Sequence, residues 1–541
     1  MSNNIQISNL IANLLEQLNV SNVCVSPGAR NAPMIEALSK SSLKMHSILD
    51  ERAAGFYALG MAKKTDRPVA LSCTSGTALA NFFPAIIEAY MSETPLIIIS
   101  ADRPVQSIDT GSNQTIYQDN IYGKYSLHFE KINSLSDDLD SICNKINVAF
   151  HASMGIVENK KISSKGPVHI NIHFDEPLIN SQEIYKKSTI QLKKIESLKN
   201  HPSSIKNKTV VKNPVIICGQ SDLKKNSDAI LDIAHKIGSP ILSDISSNIK
   251  GENQVISFYD HFTEDINPDL ILRFGRKPLS KKLLSLLEKN NEITHLIRLR
   301  DAFNDDVNPI EISIDSFAEN IDDYLDYEKD SRWLDSFINQ DALAKQKIAS
   351  LSKDVKINEY SFANELINIL PDNSNLFIGN SLMIRAFNSF SNRAYDKNIH
   401  ILSNRGASGI DGNIATALGI AQSFNKNNYL VIGDQSFMHD IGSLQILSEI
   451  EADLTVFIIN NRGGSIFSQL PLSNKMDLST FNQFVRRSHN QNFEAITKSY
   501  NIDYTLITTF EEFKNLDMNK AQICEVMINQ DDSLNFIKQF S

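Results

Sequence analysis

Two polar side chains follow successive apolar runs late in the chain, at a spacing that could form one binding site. Asp434 lies in the stretch GDQSFMHD, directly after the run YLVI and its glycine, and Asn461 follows the run LTVFII and a first asparagine. The segment IGSLQILSEIE between them has a helical pattern. Because a strand-helix-strand unit places its parallel strands side by side, we expect both side chains at one carboxyl edge of a sheet.

The chemistry of this pair suits a divalent metal. Carboxylate and carboxamide oxygens are hard ligands of the kind that Mg²⁺ takes while it keeps positions for water and phosphates. Gly433, Gly463 and Gly464 would let the backbone approach a phosphate closely. Asp, Asn and Gly also favour turns after strands, which explains either piece alone. The two pieces together favour a metal and phosphate site.

A further acidic residue, Glu51, stands at a strand-helix junction near the start of the chain. It follows the predicted strand KMHSILD and opens the predicted helix ERAAGFYALG, among apolar and small neighbours. Burial there would raise its pKa and suit it to proton transfer. A glutamate in a first helical turn can also serve only to complement the helix dipole.

Basic side chains recur in loops that follow or adjoin predicted strands, and two lysines stand at a predicted helix start. Guanidinium groups pair with carboxylates in a bidentate way, so such a set suits dianionic small substrates. A single arginine of this kind more often forms a surface salt bridge. The residues are Arg30, Arg103, Arg385, Arg405, Lys281 and Lys282.

The elements that must position these residues alternate between short apolar runs and amphipathic segments, as in α/β proteins with mainly parallel sheets. Helices are predicted over LIANLLEQL, PMIEALSKS, ERAAGFYALGMAKK, TALANFFPAIIEAYMS and SFANELINIL. The predicted strands are NVCVSP, KMHSILD, PVALSCT, LIIISAD and PVHINI, then VIICG, SPILSD, LILRFG and THLIRL, then NLFIGN, HILSNRG, YLVIGD, LTVFIINN and ICEVMI. With a polar linker around 187–213, this predicts three consecutive α/β domains, 1–186, 187–350 and 351–541.

A weak internal repeat connects the first and third of these domains. AGFYALGMA at 54–62 and NIATALGIA at 413–421 each open a helix shortly after a strand. Close packing of a helix on a sheet explains the small residues. The alternative is that the two domains are structurally related.

Length and composition indicate a folded protein that acts on small molecules. The 541 residues are 42% hydrophobic and 21% charged, with a net charge of −10. The negative charge argues against nucleic acid or an anionic membrane as the main partner. Five scattered cysteines without CxxC spacing, and no signal peptide or membrane-length apolar run, predict a cytoplasmic protein without membrane insertion.

Six motifs in order give the sequence a specific resemblance. GD followed by NN resembles the metal-diphosphate motif of thiamine diphosphate enzymes. SPGARNAP, DERAAGFYALG, SADRP, SNRGASGIDG, GDQSFMHD and NNRGGSIFSQLP together resemble the 2-succinyl-5-enolpyruvyl-6-hydroxy-3-cyclohexene-1-carboxylate synthases of menaquinone biosynthesis. Gln435, in place of the last glycine of GDG, favours this branch. The resemblance runs from residue 26 to residue 471, is poor in the middle, and implies a pyruvate-oxidase-like architecture.

The resemblance implies a cofactor and metal site at the residues named first. Asp434, Asn461 and the carbonyl of Gly463 would hold Mg²⁺ or Mn²⁺, which clamps the diphosphate of thiamine diphosphate. Glu51 would activate the aminopyrimidine ring, and Ile410 would wedge between the two rings of the cofactor. Further cofactor contacts are implied for Ser408, Gly433, Gln435, Ser436 and Ile466.

The resemblance also implies a site for two dicarboxylates, 2-oxoglutarate and isochorismate. The chain departs from the family at Ala29, where a serine is usual, so that hydroxyl contact is lost. Lys281 and Lys282 stand where the family often has Lys-Arg. The side chain of Arg462 need not face the metal. His439 could contact the diphosphate loop or face solvent, and we expect the latter. The implied substrate residues are Arg30, Arg103, Gln114, Lys281, Lys282, Ser381, Arg385, Arg405, Ile466, Phe467 and Leu470.

The function implied is decarboxylation of 2-oxoglutarate and conjugate addition of the resulting succinic semialdehyde carbanion to isochorismate. Another thiamine diphosphate enzyme, such as an acetolactate synthase or a 2-oxo acid decarboxylase, would use the same Glu51, Asp434 and Asn461 with fewer arginines. A nucleotide-binding oxidoreductase would show GxGxxG after the first strand, which the sequence lacks. A non-catalytic binding protein would not need Glu51. Because the family joins its first and third domains across subunits, a homodimer or homotetramer is expected.

Overall fold

The computed structural model of the chain divides into two compact units. Unit 1 comprises Met1–Lys199, Asn404–Phe424 and Asp440–Ala452, and unit 2 comprises Asn200–Ser403, Asn425–His439 and Asp453–Ser541. The structure describes residues 4–156, 164–179, 210–251, 253–263, 266–299, 305–307, 309–351, 356–393, 397–424, 427–450, 452–518 and 520–540. Residues 187–209 of the predicted linker at 187–213 lie outside the described residues. The predicted domain boundary at 186 also lies outside them.

Unit 1 is built on one sheet of six parallel strands. Its strands are β1 (Asn22–Val25), β2 (Lys44–Ser47), β3 (Val69–Cys73), β4 (Leu96–Asp102), β5 (Phe129–Asn133) and β6 (Pro167–His173). They lie in the order β2-β1-β3-β4-β6-β5. All of β4 is buried, as its continuous apolar run predicts for a central strand covered on both faces.

Unit 2 contains two larger parallel sheets and a short strand pair. The pair is formed by β7 (Val210–Val211) and β13 (Asp326–Tyr327). The five-stranded sheet, in the order β10-β9-β8-β11-β12, contains β8 (Pro214–Cys218), β9 (Ile241–Ser243), β10 (Val255–Ile256), β11 (Leu270–Phe274) and β12 (Thr294–Ile297). The six-stranded sheet, in the order β15-β14-β16-β17-β19-β18, contains β14 (Ser374–Ile378), β15 (Ile399–Leu402), β16 (Asn428–Gly433), β17 (Leu454–Asn460), β18 (Tyr504–Ile507) and β19 (Gln522–Met527).

Helices cover the faces of these sheets. Those of unit 1 are α1 (Asn4–Gln17), α2 (Ala32–Ser39), α3 (Glu51–Thr65), α4 (Ala78–Asn81), α5 (Phe83–Met91), α6 (Leu139–Ser153), α14 (Asn413–Gln422) and α16 (Leu444–Glu449). Those of unit 2 are α7 (Ser227–Ile237), α8 (Lys281–Lys289), α9 (Ile314–Glu319), α10 (Ile321–Tyr324), α11 (Ser331–Leu351), α12 (Glu359–Ile369), α13 (Leu382–Phe390), α15 (Asp434–His439), α17 (Ser465–Ser468), α18 (Leu478–Thr480), α19 (Phe493–Ser499), α20 (Phe510–Lys514) and α21 (Gln530–Lys538). In the part of the chain that the structure describes, no helix is both long and apolar enough to cross a membrane.

The two six-stranded sheets share one topology. The third strand in sequence lies beside the first in each, the second strand forms one edge, and the sixth separates the fourth from the fifth. The internal repeat therefore falls in two domains whose sheets have the same strand order, and a structural relation between them stays a prediction.

The repeat also has a packing role, between helices rather than between a helix and a sheet. A Cβ atom on Gly60 of α3 would lie 2.0 Å from the carbonyl oxygen of Thr416, and one on Gly419 of α14 would lie 2.0 Å from that of Tyr57. Each glycine therefore admits the backbone of the other helix. Both helices belong to unit 1.

Replacing Gly419 with alanine is expected to destabilise the protein. The added methyl group must displace the Tyr57 carbonyl, and overpacking of this kind costs about 1–3 kcal/mol. Calorimetric unfolding should show a melting temperature several degrees lower, since 1 kcal/mol corresponds to about 2–4 °C in a domain of 150–250 residues. Gly433→Ala is the matched control, because a Cβ there meets nothing within 4 Å. Equal shifts in the two variants would contradict the packing argument.

The sequence prediction missed short or edge strands and one helix break. No strand was predicted at β5, β10 or β18, which are edge strands of their sheets. The two-residue strands β7 and β13 were also missed, and β7 lies within the predicted linker. The helix predicted over TALANFFPAIIEAYMS is divided into α4 and α5. Pro84 lies in the first turn of α5, where its missing N–H is tolerated, but it could not continue a preceding helix.

Candidate active site

The carboxyl ends of β16 and β17 bring Asp434 and Asn461 together at one sheet edge. The two strands are parallel neighbours, with Gly433 opposite Ile459. Asp434 is 2% exposed and begins α15. Its Oδ2 accepts the backbone N–H of Gly463 at 2.8 Å. The carboxylate on one strand end is thus anchored to the loop that follows the other.

Asn461 presents its amide oxygen without a partner. Its Nδ2 donates to Oε1 of Glu359 at 2.9 Å, whereas Oδ1 is buried and makes no hydrogen bond within the described residues. An unpaired buried acceptor is costly, and a cation would satisfy it. The carboxylate of Asp434 and this oxygen therefore fit a divalent metal. The third predicted ligand, the carbonyl of Gly463, accepts the N–H of Ser465 at 2.8 Å.

A histidine that the sequence analysis did not single out lies over Asp434. Nε2 of His489 is 3.1 Å from Oδ2 of Asp434, and the histidine side chain is 5% exposed. The carbonyl oxygen of Arg486 accepts Nε2–H of Gln435 at 2.6 Å and the backbone N–H of Gly464 at 2.7 Å. The segment that carries His489 is therefore fixed to both loops of the predicted metal edge, which are the loops after β16 and β17 that carry Asp434 and Asn461. Nothing in the sequence around it marks this role.

A cavity of about 640 Å³ within unit 2 gathers six of the predicted substrate residues. Cationic side chains, aromatic rings and aliphatic side chains share its wall with Asp260, whose carboxylate accepts hydrogen bonds from Asn388 and Ser389. The cations and the apolar groups together suit an organic anion. Tyr360 and Gln469, which were not predicted, also line it, and Gln469 donates to the Tyr360 hydroxyl at 2.8 Å. The six predicted residues are Lys281, Lys282, Arg385, Ile466, Phe467 and Leu470.

Arg385 is a cation of this cavity whose side-chain contacts leave it available to a ligand. Its Nη1 donates to the carbonyl oxygen of Ser381 at 2.6 Å, and burial lowers its pKa. Among the described residues it has no carboxylate within salt-bridge distance. A half-buried guanidinium without an acidic partner is placed to bind a carboxylate ligand. Ser381, which has φ +70°, does not itself line the cavity.

Glu51 lies in unit 1, at the start of α3 and shortly after β2. Its side chain is half-buried, and burial raises the pKa of its carboxyl group. The helix is capped by Asp50, whose Oδ1 accepts the N–H of Ala53 at 3.2 Å. Asp50 therefore provides the side-chain cap of α3, Glu51 lies in the first turn of that helix, and its implied role in proton transfer stays a prediction.

Arg30 and Arg103 are close enough for each other's charge to matter. Burial, followed by the charge of Arg103, lowers the pKa of Arg30. Nη2 of Arg30 lies 2.9 Å from Oε1 of Glu176, so this arginine has an acidic partner, unlike Arg385. Nε of Arg103 is buried without a hydrogen bond to any described residue. The two arginines therefore lie close together after β1 and β4, beside the carboxylate of Glu176.

A buried polar network on β6 supports the loop that carries Arg103. The backbone carbonyl oxygen of Arg103 accepts Nδ1–H of His173 at 2.6 Å. Nδ2 of Asn171 donates to Oδ2 of Asp102 at 2.8 Å. Farther along this loop, exposed Gln114 donates to the carbonyl oxygen of Ser75 at 2.9 Å. The loops after β3 and β4 are thereby joined.

The loop after β15 presents the cofactor residues predicted from SNRGASGIDG. Ser408 has φ +61°, and Ile410 is 38% exposed. Ile410 is therefore not packed into the core, and its implied place between the two rings of the cofactor stays a prediction.

Glu88 of α5, another residue that the sequence analysis missed, holds this loop. It is 2% exposed, and its carboxylate accepts the backbone N–H groups of Gly406 at 2.9 Å and Ala407 at 2.6 Å. Lys63 lies 3.0 Å from the same carboxylate. Glu88 therefore fixes the backbone next to Arg405.

The last two residues of GDQSFMHD have different environments. His439 is exposed, in agreement with its predicted orientation toward solvent. Asp440 is buried, and its Oδ2 accepts the N–H groups of Ile414 at 2.7 Å and Ala415 at 3.2 Å. Burial raises the pKa of Asp440 to about 6. Asp440 therefore caps α14, a role that was not predicted.

The predicted site residues are divided between the two units. Unit 1 holds Glu51, Arg30, Arg103, Gln114, Arg405, Ser408 and Ile410. Unit 2 holds the metal edge, with Gly433, Gln435 and Ser436 beside Asp434, and the cavity.

Comparison with known protein families identifies the class. The N-terminal TPP binding domain of thiamine pyrophosphate enzymes matches residues 5–122, their middle domain matches 179–378, and their C-terminal TPP binding domain matches 379–524. The chain, whose three larger sheets are all parallel, is a thiamine diphosphate-dependent enzyme.

Individual relatives narrow the class to one family. A Chlorobium phaeobacteroides protein named 2-succinyl-5-enolpyruvyl-6-hydroxy-3-cyclohexene-1-carboxylate synthase is 33% identical to this chain, over 95% of this chain and 92% of the relative. A Bacillus pumilus protein of the same name is 32% identical, over 97% of this chain and 93% of the relative. The relative of that name from Syntrophus aciditrophicus is 31% identical over 100% of this chain and 99% of its own. The chain belongs to this synthase family.

Proposed function

We propose that the protein decarboxylates 2-oxoglutarate and adds the resulting four-carbon unit in conjugate fashion to isochorismate, in menaquinone biosynthesis. The products would be CO₂ and 2-succinyl-5-enolpyruvyl-6-hydroxy-3-cyclohexene-1-carboxylate, the compound in the relatives' name. The observation that carries the proposal is the cavity lined by Lys282, apolar side chains and Arg385, which has no carboxylate partner in the part of the chain that the structure describes. Both proposed substrates bring carboxylates to such a site.

The roles of the residues follow from their chemistry. When bound, thiamine diphosphate supplies an electron sink for the electron pair left by departing CO₂. Asp434, Asn461 and the carbonyl of Gly463 would hold Mg²⁺ or Mn²⁺ against its diphosphate. Glu51 would hold and return a proton at the aminopyrimidine ring. Arg385 would fix a substrate carboxylate and balance developing charge. The remaining predicted cofactor contacts are Ser408, Ile410, Gly433, Gln435, Ser436 and Ile466.

We also propose a homodimer or homotetramer, located in the cytoplasm, with active sites between subunits. The division into domains 1–186, 187–350 and 351–541 belongs to the same proposal. Light scattering after size-exclusion chromatography measures the mass of the assembly. A monomer that is active at nanomolar concentration would contradict the shared site.

The decisive experiment supplies both substrates. The purified protein, with thiamine diphosphate and Mg²⁺, is incubated with 2-oxoglutarate and isochorismate while isochorismate loss and the mass of the adduct are followed. We expect an adduct that forms only when all components are present. Turnover of pyruvate without this adduct would instead indicate an acetolactate synthase or a 2-oxo acid decarboxylase.

Replacing Arg385 with alanine is expected to raise KM for a dicarboxylate substrate by about 10–150-fold, since a hydrogen bond to a charged group contributes about 1.5–3 kcal/mol. Steady-state kinetics measures KM. Because Arg385 is not a proposed cofactor contact, calorimetry should show unchanged affinity for thiamine diphosphate. Lys289→Ala is the matched control, because this lysine lies in the last turn of α8 and does not line the cavity. Unchanged KM for both substrates in Arg385→Ala would remove Arg385 from the site.

A further inference from the structure

A buried glutamate contacts the predicted metal ligand Asn461 from the side opposite its free oxygen. Glu359 is 0% exposed and is the first residue of α12. Its Oε1 accepts Nδ2–H of Asn461 at 2.9 Å, and its Oε2 accepts the hydroxyl of Ser533 on α21. Each carboxylate oxygen therefore has one fixed donor.

This contact determines which end of the Asn461 amide faces the sheet edge. A carboxylate only accepts hydrogen bonds, so it binds the NH₂ end of an amide and turns the oxygen end away. Oδ1 of Asn461 is the atom left buried and unpaired within the described residues. If the amide were reversed, the NH₂ group would point at the metal and repel it.

Helix capping does not explain Glu359. The N-terminus of α12 is already capped by Asn358, whose Oδ1 accepts the N–H groups of Tyr360 and Ser361 at 3.0 Å each. Ser361 completes the capping box by accepting the N–H of Asn358 at 3.1 Å. A fully buried carboxylate is costly unless it makes a specific contact, and the contact on its Oε1 is Asn461.

We propose that Glu359 is a positioning residue that orients the amide oxygen of Asn461 toward the metal. The inference rests on the proposed metal role of Asp434 and Asn461. It adds an outer contact that fixes a ligand, and loss of such contacts typically weakens metal affinity by about 10–100-fold.

The test measures metal binding rather than turnover. Free Mn²⁺ is followed by electron paramagnetic resonance during titration of the protein in excess thiamine diphosphate. Glu359→Gln should bind Mn²⁺ at least about tenfold more weakly than the wild type, because glutamine can pair with either end of the amide. Ser533→Ala is the matched control, since it removes the donor to Oε2 and leaves the Asn461 contact, and its affinity should change less than about threefold.

A swap of the two side chains provides a second test that does not depend on the first variant folding. Asn461→Asp alone places two carboxylates against each other and should bind Mn²⁺ poorly. The double variant E359Q/N461D restores one donor and one acceptor and should recover affinity relative to N461D. Wild-type affinity in Glu359→Gln, equal losses in Glu359→Gln and Ser533→Ala, or a swap no better than N461D would each overturn the inference. A wild-type protein that binds neither Mn²⁺ nor thiamine diphosphate would instead overturn the proposed function.

Discussion

Replacing Glu51 with glutamine is expected to lower kcat by about 10²–10⁴-fold, the usual contribution of a general acid-base group. Glutamine keeps the size of the side chain and its place at the start of α3, but it cannot exchange a proton. Cofactor affinity and thermal stability should therefore change little. The measurement is single-turnover formation of the adduct, together with hydrogen-deuterium exchange at the reactive carbon of the bound thiazolium ring, which should slow by a similar factor.

The control for Glu51 is a glutamate without a proposed role. Glu36 on α2 is 41% exposed and forms a surface ion pair with Lys40. Because exposed pairs contribute about 0–1 kcal/mol, Glu36→Gln should retain wild-type activity and stability. Full activity in Glu51→Gln would rule out the proposed proton transfer, whatever the assignment of substrates.

Replacing Asp434 with alanine is expected to abolish metal-dependent binding of thiamine diphosphate. The variant loses the only carboxylate of the proposed ligand set. Loss of a residue that merely contacts a metal ligand lowers metal affinity by about 10–100-fold, and loss of the ligand itself should lower it more. Calorimetric titration of the cofactor with and without Mg²⁺ measures the effect. In the wild type Mg²⁺ should strengthen binding greatly, whereas in the variant it should have little effect.

Asp503→Ala tests whether the loss is specific to the metal edge. Asp503 precedes β18 in the same sheet, its side chain is 62% exposed, and it pairs with Lys520 on the surface. Its removal lowers the negative charge of the protein by the same amount as Asp434→Ala. Equal losses of cofactor affinity in both variants would point to net charge rather than to a metal ligand.

The strand-ending residues were predictable because their placement depends on local chain geometry. β16 and β17 are continuous apolar runs, and both are buried almost throughout. The connection between them contains the short helices α15 and α16, and right-handed crossover geometry makes the two strands parallel neighbours. Asp434 and Asn461 then share an edge without reference to the rest of the protein. The same logic placed Glu51 after β2.

The contacts of residues that pack against distant parts of the chain could not be predicted from the sequence. Glu359 resembles an ordinary acidic residue in a first helical turn, and Glu88 lies in the middle of a predicted helix. Each acquires its contact only when its helix packs beside a loop from elsewhere in the chain: Glu359 reaches Asn461, and Glu88 reaches Gly406 and Ala407. Sequence separation of this size leaves no spacing that could reveal the pair.

The cationic residues show the same division. Their types and positions in loops predicted an anion site, and the family resemblance supplied the list. The structure decided which arginine has an acidic partner: Arg30 lies 2.9 Å from Glu176, whereas Arg385 contacts a backbone carbonyl. The energy of a bound carboxylate depends on this difference, because a paired guanidinium has already satisfied part of its charge.

The sequence by itself determined the α/β architecture, the polar residues that end the buried strands and, through its ordered motifs, the synthase family. These features are determined by apolar periodicity and residue type, which act over a few neighbours. Only the tertiary structure decided which end of the Asn461 amide is left unpaired, which cations share a cavity with Ile466 and Phe467, and which buried carboxylates hold the site loops. Those outcomes depend on the packing of segments far apart in the chain, and packing is decided by the whole fold rather than by any one stretch of it.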